Sequence, residues 1–156
     1  MGDFVSKYVN RLDSKGRVSI PAPFRQILTR EGQEMLFCSP SLDLEAVDAG
    51  GLRLRGEIDT HLESFEAFSD EREVLATALL GESETLKIDK DGRVVLSDTI
   101  KAHTDITDSV VFVGQGFKFQ IWQPDRYEAY KAEATERARA MRKAKAAQKQ
   151  REGVGQ

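Results

Sequence analysis

The sequence predicts a mainly β fold with short helices, built from two similar halves and followed by a C-terminal helix. Three observations predict this α+β class: a turn motif that occurs twice, β-rich segments around each copy, and a final stretch rich in Ala, Glu, Lys and Arg. Of the 156 residues, 40% are hydrophobic and 31% are charged, which is typical of a globular protein. No apolar run is long enough to cross a bilayer, so no membrane association is expected.

The repeated motif lies in "LDSKGRVSIPAPFR" (residues 12–25) and "IDKDGRVVLSDTIK" (residues 88–101). Glycine supplies the positive φ of a tight turn, and aspartate can accept hydrogen bonds from the turn amides. The sequence therefore predicts two equivalent turns, organised by Asp13 and Gly16 in the first copy and by Asp89 and Gly92 in the second.

Each turn is flanked by segments with strand character. "YVNRL" and "TLKI" alternate before the turns, and "RVSI" and "RVVL" are β-rich after them. Pro21 then starts a helix with an apolar stripe at Phe24, Ile27 and Leu28, which Gly32 ends. In the second half Ser97 is the expected N-cap.

A second hairpin is predicted after each of these helices. In the first half "MLFC" (35–38) and "LDLEAV" (42–47) are the expected strands, joined through "SPS" (39–41). In the second half "VVFV" (110–113) and "FKFQIW" (117–122) correspond to them, joined through "GQG" (114–116).

The remaining stretches favour helices. Ile58, Leu62 and Phe65 share one helical face, and Ser69 followed by acidic residues starts another helix. The expected organisation is a first half (4–51), a helical linker (52–82), a second half (83–130) and a basic C-terminal helix or tail (131–156).

Charge is distributed unevenly along the chain. Seven Lys/Arg and no Asp/Glu lie between Arg137 and Arg151, and removing them from the overall net charge of −3 leaves −10 on the remainder. An acidic body needs local basic patches to bind nucleic acid. The basic segment is open to two interpretations, a solvated helix or a non-specific DNA arm. The arm would use Arg137, Arg139, Arg142, Lys143 and Lys145.

Catalytic and metal-binding patterns are not found. His61 and His103 have no ligand-type neighbours at metal spacing, and "DKDGR" has its glycine at the wrong place for a calcium loop. The single Cys38 excludes an internal disulfide and is expected to be a buried apolar residue. No enzyme activity, metal or cofactor is expected.

The Asp-x-x-x-Arg pattern has two readings. An Asp–Arg pair can simply stiffen a hairpin, and an exposed pair of this kind contributes under about 1 kcal/mol. Alternatively Asp holds the turn while Arg17 and Arg93 project towards a polyanion, for which the planar guanidinium is suited. Two copies in the same frame favour the second reading. Lys15, Arg11, Arg25 and Arg30 are expected to add positive charge near the first copy.

The motif "LDSKGRVSIPAPFR", the second "DKDGRVVL" and the strand "FKFQIW" resemble the MraZ family of bacterial transcriptional regulators. The resemblance covers about residues 4–130. It implies two fused AbrB-like swapped-hairpin half-domains that form a pseudo-twofold barrel. It also implies a ring-shaped homo-oligomer that binds direct repeats in double-stranded DNA upstream of the division and cell-wall gene cluster.

Carried onto this sequence, the resemblance assigns DNA binding to Arg17 and Arg93, with Lys15 as a helper. Arg11 is added to the predicted DNA-binding residues for its positive charge near the first copy. Asp91 stands where the first half has Lys15, so the first half is expected to dominate DNA binding. The predicted function is sequence-specific repression of transcription in the cytoplasm, at the nucleoid. The alternative is a protein-interaction module, such as an antitoxin-like protein of the AbrB type whose tail binds a protein partner.

Overall fold

The structure is a computed structural model, which describes residues 2–154. It divides into two compact units, one that runs to Pro124 and one that starts at Asp125. The first unit contains all the described strands, and the described part of the second unit is helical.

The elements of the first half follow the repeated motif. The first strand ends just before the turn, and the second begins at the arginine of the turn. The prolines of "IPAPF" start α1, whose buried face consists of Phe24, Ile27 and Leu28, as predicted. The ranges are β1 Lys7–Arg11, β2 Arg17–Ser19, α1 Ala22–Arg30, β3 Met35–Pro40 and β4 Val47–Gly50.

The strand predicted over 42–47 is wrong, because β4 begins only at Val47. Residues 41–46 form a loop, in which the backbone N–H of Ser41 donates to the carbonyl of Ala46 and the Ser41 hydroxyl accepts from the N–H of Leu44. A serine side chain that bonds a nearby backbone amide favours a turn over a strand. Leu42 is accordingly exposed.

Between the halves, the predicted helices are present as α2 (Leu52–Glu63) and α3 (Asp70–Ala76), followed by a π-helical segment (Thr77–Gly81). The hydroxyl of Ser69 accepts from the N–H of Arg72, which confirms Ser69 as the N-cap of α3. The face of α2 formed by Leu54, Ile58 and Leu62 is buried against partly buried neighbours such as Phe37 and Leu75.

The second half repeats the first. Ser97 caps α4 through a hydrogen bond from the N–H of Ile100, as predicted. The ranges are β5 Glu84–Lys87, β6 Arg93–Val95, α4 Asp98–Thr104, β7 Ser109–Gly114 and β8 Phe119–Trp122.

The strands pair across the two halves. The larger sheet has the antiparallel order β1-β7-β8-β4-β3-β5, and β2 pairs with β6 in a separate two-stranded sheet. Exchanging each strand for its counterpart in the other half turns this order into its own reverse, which is the mark of a local twofold arrangement. The first strand of each half therefore pairs with the third strand of the other half.

The predicted mainly β fold with helices is confirmed, but the described strands form two open antiparallel sheets rather than a closed barrel. The three-residue strands β2 and β6 pair only with each other. Next to them, the side-chain amide of Asn10 in β1 bonds the carbonyl of Ser19 in β2, where a closed barrel would have a backbone ladder.

The core of the first unit combines both halves. Phe4 is fully buried and its ring contacts Phe24 and Phe119 at centroid distances of 5.2 and 5.0 Å. Val18 and Val94 point into the same core from the two-stranded sheet. Because each half supplies one side of a shared interior, neither half encloses a complete core by itself.

The described part of the second unit belongs to α5 (Pro124–Val154), a helix of 31 residues. Its sequence is rich in residues with high helix propensity. Pairs such as Glu136 with Arg139, 2.7 Å apart at i, i+3, give this helix further local support. The helix extends through the basic segment.

Candidate nucleic-acid interface

Asp13 is the hydrogen-bonding centre of the first turn. Its Oδ1 accepts from the backbone N–H groups of Lys15 and Arg17, both at 2.9 Å, and its Oδ2 accepts from Nε of Arg17 at 2.7 Å. Gly16 has φ of +77°, which a glycine adopts without steric cost. The turn is therefore closed by one carboxylate that organises both the backbone and the arginine.

The second turn repeats this arrangement. Oδ1 of Asp89 accepts from the N–H groups of Asp91 and Arg93, and Oδ2 accepts from Nε of Arg93 at 3.0 Å. Gly92 has the same φ of +77° as Gly16.

Both turn aspartates are stabilised as anions. The hydrogen bond from the backbone N–H of Arg17 lowers the pKa of Asp13 to about 2. Desolvation opposes this shift in part, and the Arg17 side chain assists it. The same groups around Asp89, led by the backbone N–H of Arg93, lower its pKa as well. At neutral pH each carboxylate is charged and its acceptor positions are used within the turn.

The two arginines lie on one outward face. In the β2–β6 pair Arg17 is opposite Val95, and Ser19 is opposite Arg93. Because side chains alternate along a strand, these four residues share one face, while Val18 and Val94 are buried on the other. Arg17 and Arg93 are thus diagonal neighbours across the strand pair, a relationship that places Cα atoms roughly 7–8 Å apart. We call this surface the arginine face.

The two guanidinium groups differ in what remains available. Arg17 uses its Nε for Asp13, and its Nη1 and Nη2 groups make no hydrogen bond within the described part of the chain. Arg93 also donates from Nη2 to Asp91, at 3.2 Å. A bidentate contact to a base edge or a phosphate needs two adjacent N–H groups, so Arg17 is the better prepared of the two.

The other predicted binding residues lie near this face to different degrees. Lys15 is an exposed member of the first turn, and Arg11 is the exposed last residue of β1. Arg25 was expected near the first turn, but its guanidinium contacts the second turn. Its Nη1 donates to the backbone carbonyl of Asp91 in the second turn, at 2.9 Å.

The residues predicted as a DNA arm are exposed on α5, in the second unit. In the described helix the Arg139 guanidinium is bonded to Glu136. The predicted arm residues are Arg137, Arg139, Arg142, Lys143 and Lys145.

His103 has a structural role that the sequence did not indicate. Its Nε2 lies 3.2 and 3.1 Å from the carbonyl oxygens of Leu44 and Ala46, so α4 contacts the loop before β4 through this ring. The contact spans more than fifty residues of chain, and spacing along the sequence carries no signal for it.

Residues 2–154 hold no group of three or more His, Cys, Asp or Glu placed to bind a metal ion. Cys38 is buried, and desolvation raises the pKa of its thiol. Within this range no helix has the length and apolar character that crossing a membrane requires.

Comparison with known proteins gives consistent matches. The family model described as "MraZ protein, putative antitoxin-like" matches residues 79–151. A protein of Xanthobacter autotrophicus named transcriptional regulator MraZ is 60% identical over 144 residues, which cover 92% of each chain. Proteins of the same name from Beijerinckia indica and Rickettsia bellii are 52% and 36% identical. Those matches cover 92% and 91% of this chain, and 87% and 95% of the relatives.

Proposed function

Since this chain belongs to the MraZ family of transcriptional regulators, we propose that it regulates transcription by binding DNA through the arginine face. The observation that carries the proposal is the outward display of Arg17 and Arg93 on one short sheet, each held by an aspartate. The family is named for regulation and not for an enzyme activity. The protein would act in the cytoplasm, at the nucleoid.

The finer proposal is repression through direct repeats upstream of the division and cell-wall gene cluster. A single arginine face offers few contacts, and the first unit and the start of α5 carry an excess of acidic residues. A ring of identical subunits would present several arginine faces to spaced repeats. Once one face is bound, the others would bind as intramolecular events at high effective concentration.

In this proposal the first turn makes the dominant contact. The amino groups of Arg17 have no protein partner in the described residues, whereas Arg93 shares its charge between Asp89 and Asp91. Lys15 and Arg11 add positive charge beside Arg17. Asp13, Gly16, Asp89 and Gly92 act as turn organisers without touching DNA.

The test is fluorescence anisotropy with DNA from upstream of the protein's own gene, against a shuffled fragment, over a salt series. We expect a strong preference for the native fragment and an affinity that falls steeply with salt. Arg17→Ala should weaken binding to the native fragment at least tenfold, with the molar mass by light scattering unchanged.

Arg55→Ala is the matched control, because Arg55 also pairs with an aspartate at i, i+4 but lies on α2. Equal binding of wild-type protein to native and shuffled DNA would refute sequence-specific regulation. Unchanged binding by Arg17→Ala would refute the role of the arginine face.

The second candidate is a protein-interaction module, which the exposed residues 135–153 of α5 favour as a docking element. It predicts that removing residues 131–156 abolishes binding of a protein partner while DNA binding remains weak and unspecific.

A further inference from the structure

A groove of about 770 Å³ lies between α1 and the segment that joins β5 to β6. Four cationic side chains line it, against two acidic ones. Arg25, Arg30, Lys87 and Lys90 are the cations, and Glu34 and Asp89 the acids. We call this surface the basic groove.

The positive charge of the basic groove is largely uncompensated. Asp89 is already paired with Arg93, at 3.0 Å. Arg30, Lys87 and Lys90 are exposed and take part in no ion pair among residues 2–154. Glu34 therefore remains as the one acid of the groove whose charge is not taken up within the turn, against four cations.

The groove exists because the two halves interlock. Arg25 and Arg30 come from α1 of the first half, and Lys87 and Lys90 come from the second. Arg25 joins the two sides, since it donates to the carbonyl of Asp91 and its side chain lies over Gly92. A β-carbon at Gly92 would collide with the guanidinium of Arg25, which occupies the space that a larger residue would need.

The twofold-related position has cations at only two of the four corresponding residues. Lys101 replaces Arg25 and is tied to Asp98 at 3.5 Å. Ile106 and Ser14 replace Arg30 and Lys90, and only Arg11 matches Lys87. Lys15 of the first turn takes part in no ion pair among the described residues, and the second turn has Asp91 at that position. Beside the second turn the unpaired cations Arg30, Lys87 and Lys90 line the adjacent groove instead.

We propose that the basic groove is a second nucleic-acid site, which binds the phosphodiester backbone of the DNA held by the arginine face. This inference rests on the proposed function. Two lysines and two arginines presented from separate elements match a chain of phosphates, which lysine binds as a point charge without reading sequence. The groove adds affinity, and the first turn adds discrimination between sequences.

The test compares Lys87→Gln/Lys90→Gln with the charge-matched control Arg55→Gln/Arg72→Gln. The slope of log affinity against log salt is negative, and each lost phosphate contact reduces its magnitude by about 0.9. We expect the groove variant to lose up to about two such contacts and to bind native and shuffled fragments more weakly by the same factor. The control should keep the wild-type slope, and melting temperatures should confirm that both variants are folded.

A wild-type slope in the groove variant would overturn the proposal. A changed molar mass with an unchanged slope would also overturn it, because the groove would then hold a neighbouring copy. Failure of the proposed function looks different, since wild-type protein would then show no preference for the native fragment.

Discussion

Val18 and Val94, which are 76 residues apart, face each other at the centre of the two-stranded sheet. The flanking contacts are matched, since the N–H of Ile20 donates to the carbonyl of Gly92 and the N–H of Leu96 to that of Gly16. A local twofold axis therefore passes between the two valines. The two turns are equivalent in their backbones, and the differences between them arise from side chains alone.

Gly16→Ala and Gly92→Ala test one such difference. Both glycines have positive φ, so an alanine at either should cost about 1–2 kcal/mol. A β-carbon at Gly16 meets no atom within 4 Å, but at Gly92 it collides with Arg25. Chemical denaturation should show a larger loss for Gly92→Ala.

In an Arg25→Ala background the excess should disappear, so that the two substitutions cost the same. Gly16→Ala in that background is the control and should be unaffected. An excess that persists without Arg25 would place the strain in the turn itself.

Asp13→Asn should remove a pH-dependent part of stability. The pKa of Asp13 is depressed to about 2, below the value of about 3.9 in an unfolded chain. The folded protein therefore binds fewer protons between these values, and this contribution is present above pH 4 and lost as the pH falls towards 2. Thermal unfolding followed by circular dichroism should show Asp13→Asn less stable than wild type at pH 7.

The difference between the two proteins should shrink between pH 4 and pH 2. Asparagine retains an oxygen acceptor for the turn amides, so the variant tests the charge and not the turn shape. A difference of the same size at pH 2 and pH 7 would contradict this assignment.

Asp91→Lys should make the second turn resemble the first. The change removes an acceptor from Nη2 of Arg93 and puts a cation where the first turn has Lys15. If the second turn contacts DNA, the affinity should rise. The slope of log affinity against log salt should also become steeper by about 0.9, the value for one added phosphate contact. Anisotropy titrations at several salt concentrations measure both quantities.

Asp59→Lys is the control for Asp91→Lys. It also replaces an aspartate that pairs with an arginine, but Asp59 lies on α2, away from the turns in the sequence. Equal gains from both substitutions would indicate a general reduction in negative charge. No gain from Asp91→Lys would mean that the second turn stays away from DNA.

The sequence predicted those features that local chemistry determines. The hydrogen bonds of Asp13 reach no further than Arg17. Each of the caps, Ser69 and Ser97, accepts a hydrogen bond from the residue three positions later in the chain. A short sequence pattern therefore contains all the partners. The position of Arg25 could not be predicted this way. Its partner Asp91 is 66 residues away and reaches it only because the halves interlock.

Local and long-range contacts both oppose the strand predicted at 42–47. The repeat aligns "LDLEAV" with "FKFQIW" and so predicts a strand, but Ser41 closes a turn there and His103 from α4 contacts the carbonyls of Leu44 and Ala46. The local turn of Ser41 and the long-range contact of His103 together favour a loop over a strand here, and only the second lies outside the short pattern.

The basic stretch of α5 yields a last prediction. Its proposed arm residues are exposed and, at 3.6 residues per turn, spread over about 240° around the helix axis. Cations on several sides of a helix can neutralise phosphates in many orientations but cannot form one surface that reads a base sequence. Replacing all five by glutamine should weaken binding to native and shuffled DNA by the same factor and flatten the salt dependence. The far-ultraviolet circular dichroism should stay helical, since glutamine is a good helix former. A loss confined to the native fragment would instead show that the arm takes part in sequence recognition.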